Sequence, residues 1–347
     1  MKKRKIFSLA PHERFNYGDI MYSIILKEIF KNEDFYHLGI NAGDFTEFGS
    51  GKMFNINILK DVDSMDDNLL FIGGGEFLGC SYEVLFSFIH DPKPFDNNFK
   101  TPFIHDEFVD DLPIRKFYIS FGGSSNNYIS RDLAQLEKAD IIYTRESLTN
   151  ANIKSRLKNK KEIVTLPDLV TLSSYFFPRE NKKDYIVIQL GKYKTPTPNK
   201  IIELIMNLQS KHKIKLVGLG NCAKHDDDVI LEEIYNILPV KDNVELVKPK
   251  DALEIMNIIS SAKLCIGTSL HLMITSFSYN IPWVNYNSRL YKITNYKDQW
   301  YPNFGEVSDG FDLIDKVNNI LKKSVDMTAD IDEQQSKIIN FFNKNVK

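Results

Sequence analysis

The chain of 347 residues is long for one comfortable core and suits two domains of ordinary size. Its 44 Lys and Arg balance 46 Asp and Glu, with 43% hydrophobic and 26% charged residues; this composition of a soluble globular protein indicates no nucleic-acid partner and no membrane surface. The three cysteines, Cys80, Cys222 and Cys265, have no short spacing, which excludes a zinc knuckle or a redox pair and suits a reducing cytoplasm.

Taken in chain order, the opening MKKRK has the charge of a signal-peptide n-region, but IFSLAPHERFNYGD interrupts the apolar run with a proline and charges, so a first strand is expected there. No stretch approaches the roughly 18 to 20 consecutive apolar residues of a membrane-spanning helix. Apolar, β-rich runs then alternate with segments of helical period. KIFSLA, NLLFIGGG, KFYISFGG, DIIYTRES and KEIVTLPD form a first series, and the segment after the first is expected to be a helix from Ile20 to Phe30 capped by Asp19. DYIVIQLG, HKIKLVGLG, NVELVKP, KLCIGTS and IPWVNYN form a second series, in which every gap but the last is read as a crossover. Between them the polar, proline-containing stretch at 175–184 reads as a linker, giving lobes at 1–178 and 184–347, and two terminal helices close the chain. The fold class is α/β: two doubly wound, Rossmann-like lobes facing a cleft, with motifs just after strands, where such sheets place ligands.

The last of those motifs is IGTSLHLMITSFSYNIPWVNYN, residues 266–287. The strand ends at Gly267, Thr268 or Ser269 can cap a helix to about Tyr279, and His271 falls in its first turn. Leu270, Ile274 and Phe277 share one face; His271, Thr275 and Ser278 form a polar stripe on another. A helix N-terminus carries unpaired N–H groups and partial positive charge, so a phosphate or carboxylate could sit there and exchange a proton with His271. The alternative is a capped helix whose histidine only satisfies a neighbouring carbonyl.

Earlier strand ends carry the other candidates. Gly73, Gly74 and Gly75 allow close backbone approach to a ligand, yet spell neither a phosphate-binding P-loop nor G-x-G-x-x-G, and a tight turn explains them equally well. Arg145 in YTRES is placed to fork onto an anion, or else to pair with Glu146 or Asp140. Asn16 and Asp19 in NYGD can bind polyol hydroxyls or simply cap a helix. Asp168 lies near the linker, and Lys292 could add a cation or be a surface lysine. No cluster at metal-ligand spacing is recognised, so neither metal nor cofactor is expected. Nor is an acidic residue recognised after a second-series strand that would grip a nucleoside ribose.

In this order NYGD, GGGEFL, TRES, the Pro167–Asp168 pair, SLH at 269–271, IPWVNYN and Lys292 resemble the motifs of the polysaccharide pyruvyltransferase family. The resemblance spans about residues 16 to 292. It implies a GT-B-like fold, needing no metal, and transfer of a pyruvyl unit from phosphoenolpyruvate to a sugar of a cell-surface glycan or its lipid-linked precursor. Residue by residue, it implies that Arg145 holds donor anionic groups, that His271 is the histidine of an Arg-Leu-His motif, and that Ser269 stands in that motif's arginine position. Thr268, Leu270 and Lys292 would join the donor side, whereas Asn16, Asp19 and Gly73–Gly75 would face the acceptor. Two other functions fit the same pattern: a nucleotide-sugar glycosyltransferase, and a non-catalytic sugar-binding protein, which the serine at 269 favours.

Overall fold

The computed structural model describes residues 3–39, 42–62, 67–75, 114–122, 130–159, 161–179, 184–192, 194, 198–222, 225–323 and 326–346. Cys80 and the helix-compatible residues after Gly75 lie outside them. The chain divides into two compact units, Met1–Leu169 and Val170–Lys347.

In unit 1, β1 (Lys5–Leu9) leads into α1 (Tyr17–Ile29), followed by β2 (Asp34–Gly39), β3 (Gly43–Phe45), β4 (Gly51–Asn55), β5 (Leu69–Gly75) and β6 (Arg115–Phe121). Then come α2 (Ser130–Lys138), β7 (Ile141–Thr144), α3 (Ser147–Lys154) and β8 (Ile163–Thr165). The eight strands run in the order β3-β4-β2-β1-β5-β6-β7-β8, parallel except for the pairing of β3 with β4. Residues of β1 alternate between faces: Phe7 and Leu9 join Leu70, Ile72, Ile142 and Ile153 in one core, whereas Ser8 lies in register with His37, whose ring bonds Ser23 of α1. Strands covered on both faces read as nearly continuous apolar runs, which is why β1, β5 and β6 were legible. β2 escaped because its first half, Asp34 to Tyr36, is exposed or half-buried and mixes polar with apolar residues.

Unit 2 begins with a short helix, α4 (Ser173–Phe176), and continues with β9 (Tyr185–Gln189), α5 (Pro198–Leu208), β10 (Lys213–Val217), α6 (Asp227–Ile237), β11 (Val244–Val247) and α7 (Ala252–Ser260). β12 (Leu264–Gly267), α8 (Leu270–Ser278), β13 (Trp283–Asn285), α9 (Tyr291–Trp300), β14 (Glu306–Val307), α10 (Leu313–Lys322) and α11 (Thr328–Asn345) complete it. Its six strands, β11-β10-β9-β12-β13-β14, are all parallel. Ile186 and Ile188 of β9 pack with Leu204 of α5, Leu231 of α6 and Val317 of α10. On the opposite face, the Tyr185 hydroxyl donates to the Ile258 carbonyl of α7.

Three expectations change in detail. The cap of α1 is Asn16, whose extended backbone turns its side chain to accept from Gly18 N, leaving Asp19 inside the first turn. The gap between β12 and β13 is also a crossover, because α8 fits within it. The break between units falls at 169/170, ahead of the stretch read as the linker at 175–184. Residues 171–174 are held within unit 2: Ser278 Oγ and Gln335 Nε2 both donate to the Thr171 carbonyl, and Ser174 N donates to Ser278 Oγ.

Candidate functional site

The functional candidates fall at the carboxyl ends of both sheets, and each unit builds its own constellation. In unit 1 the β1–α1 turn places Arg14 and Asp19 in a forked ion pair, Nε and Nη2 at 3.0 and 2.8 Å from Asp19 Oδ2, with the carboxylate buried. The other oxygen of Asp19 lies beside Gly75, 3.2 Å from where a Cβ would stand. Gly74 and Gly75 have φ of 84° and 82°, so the end of β5 needs glycine there for its backbone. Gly73 needs it for space: a Cβ would strike the Ile119 carbonyl oxygen and lie 2.6 Å from the Tyr22 hydroxyl. The three glycines thus let β5 close over Tyr22 and Asp19 of α1.

Beside them, Arg145 is fully buried, with Nη1 donating to Asp168 Oδ2 at 3.1 Å and Nε 3.6 Å from Glu146 Oε1. Of the pairings read from the sequence, Glu146 is present and Asp168 joins it, whereas Asp140 turns to accept from Lys116 N. Asp168 is fixed from the chain side as well, because Leu169 N donates to Ser120 Oγ. Ser120 has a left-handed φ of 53° next to an irregularity in the β6–β7 pairing, a strained backbone of the kind that collects at functional sites. The guanidinium is thus held between two carboxylates at the end of β7.

Two buried histidines beneath α1 complete this part of unit 1. His12 Nδ1 donates to the Asp19 carbonyl at 3.2 Å, and its ring lies 5.7 Å from that of His37. Burial, with the neighbouring His37, lowers the His12 pKa to about 3; burial, with Lys27, lowers that of His37 to about 4. Burial and the Asp168 charge push the Tyr22 phenol well above its usual value, keeping it neutral.

In unit 2 the first turn of α8 is built as the residue types suggest. Ser269 is extended and its Oγ accepts from Leu272 N at 3.4 Å, leaving Thr268 buried before the helix and His271 half-buried in its first turn. Leu270, Ile274 and Phe277 are buried as expected. The polar stripe divides: Thr275 and Ser278 are buried, Ser278 against 171–174, so His271 alone of the three retains exposure. Lys292 is half-buried in the first turn of α9, on a different element. Thr268, Ser269, Leu270 and His271 therefore form one turn, whereas Asn16 serves as a cap.

Sequence reasoning missed His12, Arg14 and Tyr22 in unit 1, and Gln189 and Asp227 in unit 2. Arg14 could have been found from its place five residues before Asp19. Asp226, Asp227 and Asp228 lie beyond β10, at the start of α6. Asp227 is buried with its carboxylate bonded to protein groups, and burial raises its pKa to about 6. Among the described residues no three His, Cys, Asp or Glu side chains gather as a metal site, and no helix is long and apolar enough to cross a membrane.

Two α/β units with parallel sheets and site residues at the strand ends define a GT-B-type protein. Solved structures covering nearly all of the chain have the same fold. UDP-GlcNAc 2-epimerase from Methanocaldococcus jannaschii matches at TM-score 0.61 and 12% identity, covering 99% of this chain and 100% of that one. An α-glucosyltransferase in complex with UDP and DNA matches at TM-score 0.57 and 11% identity, over 98% and 95%. UDP-GlcNAc 2-epimerase from Neisseria meningitidis matches at TM-score 0.57 and 10% identity, over 99% and 100%. No curated protein matches significantly. The polysaccharide pyruvyl transferase family model matches residues 16–288, and the chain belongs to that transferase family.

Two outcomes follow from this geometry. Arg145→Met leaves two carboxylates buried without their cation, so it should cost about 3–5 kcal/mol of folding free energy; an unchanged denaturation midpoint would show that the pairs carry no such weight. The histidines refuse protons in the folded state that the unfolded chain accepts below about pH 6.5, so their contribution is intact above that pH and lost as pH falls toward 4. Asp227 acts oppositely, favouring the folded state below about pH 6. The stability difference between wild type and His37→Asn should therefore shrink on acidification, by up to about 1.4 kcal/mol per pH unit. A difference constant from pH 7 to 4 would mean that His37 titrates normally.

Proposed function

We propose that this chain transfers a pyruvyl group from phosphoenolpyruvate to a pair of hydroxyls on a sugar of a cell-surface glycan or its lipid-linked precursor, forming a ketal without a metal. The observation that carries this reading is the first turn of α8, where N–H groups, a serine cap and His271 meet just after a parallel strand in a chain of this family. Such a turn receives a compact anion through its N–H groups and dipole.

Protonation of C3 of phosphoenolpyruvate develops positive charge at C2, where one sugar hydroxyl adds and loses its proton. Phosphate then leaves, and the second hydroxyl adds to C2 with loss of its own proton, closing the ketal. His271 supplies the proton or holds the phosphate as it leaves, with the α8 N-terminus stabilising the developing negative charge. Thr268 Oγ1, buried and without a protein partner among the described residues, adds a hydroxyl beside that terminus, and Lys292 adds a cation on the donor side. Gly73–Gly75 and Asp19, with Asn16 shaping the turn, serve the acceptor. Arg145, oriented by its ion pairs with Asp168 and Glu146, serves as the clamp for the donor's anionic groups.

Phosphoenolpyruvate should raise the melting temperature in a concentration-dependent way by mass action, and uridine and guanosine diphosphates should shift it little. The reverse ranking would assign the protein to nucleotide-sugar chemistry, and no shift with either would favour a non-catalytic sugar-binding role. His271→Gln should lower turnover at least about 10²-fold at nearly unchanged melting temperature, as expected for a lost acid–base group. Wild-type turnover in that variant would remove His271 from the mechanism.

A further inference from the structure

The loops that follow the three central strands of unit 2 are tied by one buried carboxylate and one buried amide. Asp227, the first residue of α6, accepts three hydrogen bonds on a single oxygen: from Gln189 Nε2 at 2.8 Å, Leu219 N at 3.0 Å and Gly220 N at 3.1 Å. Its own N–H returns a bond to the Gly220 carbonyl at 3.1 Å. Gln189, the last residue of β9, uses its other end as well, its Oε1 accepting from Thr268 N at 3.0 Å. The chain of bonds therefore runs from the β10–α6 turn, through the end of β9, to the residue that precedes the α8 cap.

This arrangement exceeds what packing needs. Gly267 sits against it with a Cβ position 2.8 Å from Gln189 Oε1, so a side chain there would push the amide away. Burying an ionisable carboxyl is costly unless hydrogen bonds compensate it, and Asp227 is only 3% exposed. Burial raises the Asp227 pKa, and the bonds from Gln189, Leu219 and Gly220, together with the Lys194 charge, offset that rise. Lys194 is itself tied by its carbonyl, which accepts from Asn287 Nδ2 at 2.7 Å, bringing in the segment after β13. The consequence falls on Thr268: its N–H is spent on Gln189, which sets the direction from which the chain enters the Ser269 cap and His271.

We propose that Asp227 and Gln189 are positioning residues that hold the Thr268–His271 turn in the orientation that receives the donor's anionic group. This inference rests on the reading of that turn as the donor site. Neither side chain is assigned contact with the donor; each acts through Thr268.

The test compares wild type with Gln189→Leu, Asp227→Ala and Asp227→Asn. Asparagine at 227 keeps a carbonyl oxygen where the three donors converge and removes only the charge. Binding of phosphoenolpyruvate and of inorganic phosphate is measured by calorimetry, and exchange of the Thr268 amide by hydrogen–deuterium exchange on the ligand-free proteins. Gln189→Leu and Asp227→Ala should weaken phosphoenolpyruvate at least about tenfold and speed Thr268 exchange, and Asp227→Asn should bind within about threefold of wild type. Gln189→Leu, close in size to glutamine, carries the test if Asp227→Ala does not fold. Wild-type affinity in Gln189→Leu, despite faster Thr268 exchange, would reduce the brace to a structural element and overturn the inference alone. Wild-type protein that binds neither ligand would overturn the donor reading and the inference with it, a result already visible before any variant is compared.

Discussion

Parallel strands end with backbone donors and acceptors that the ladder no longer pairs, and the loops that follow must find partners elsewhere or take up water. In unit 2 that demand converges on Asp227 Oδ2, where a side-chain amide and two backbone N–H groups meet. The rest of the carboxyl edge is set by reference to it. Gln189 relays the constraint to Thr268, Ser269 then caps α8, and His271 takes its place in the first turn. A helix starting one residue earlier or later would rotate His271 by about 100° around the axis. Fixing the cap therefore fixes which group faces the N-terminal dipole.

Unit 1 fixes its strand ends with charged side chains. Arg145, Asp168 and Glu146 lie buried together at the ends of β7 and β8, and Arg14 with Asp19 does the same at the start of α1. Breaking such pairs is costly, whereas making them adds little net stability, since desolvation offsets most of the attraction. What they supply is definition: each carboxylate has one available position. The glycines of β5 belong to the same construction, because only a strand end without side chains can lie against the Tyr22 ring and the Asp19 carboxylate. A neutral, buried His12 and His37 pair beneath α1 makes this unit sensitive to acid in a way that the paired carboxylates alone would not.

The strand order within each sheet could not be read along the chain, but the elements largely could. β1, β5, β6, β9, β10 and β12 announced themselves as apolar runs, and α8 by its cap and period. β2 through β4 did not, because strands at the sheet margin are partly exposed and have no uniform pattern. The Thr268–His271 turn was legible for a local reason: strand, glycine, capping serine and helix are neighbours in sequence. Arg145 was legible as a strand-end arginine and ambiguous in role, since an anion clamp and an ion pair use the same fork.

Sequence alone determined the α/β class, the two-unit organisation, the family motifs and the α8 turn, because each is carried by short local patterns, apolar runs, caps and strand-end motifs, that recur in order along the chain. Tertiary structure decided which side chains meet. It brought Asp168 to Arg145 across 23 residues, Gln189 to Asp227 across 38 and Thr268 to Gln189 across 79. The first arises from the pairing of β7 with β8, and the other two from the order in which β9 lies between β10 and β12 although β12 is far along the chain. A polar residue at a strand end carries no local mark of the partner that the sheet will place beside it.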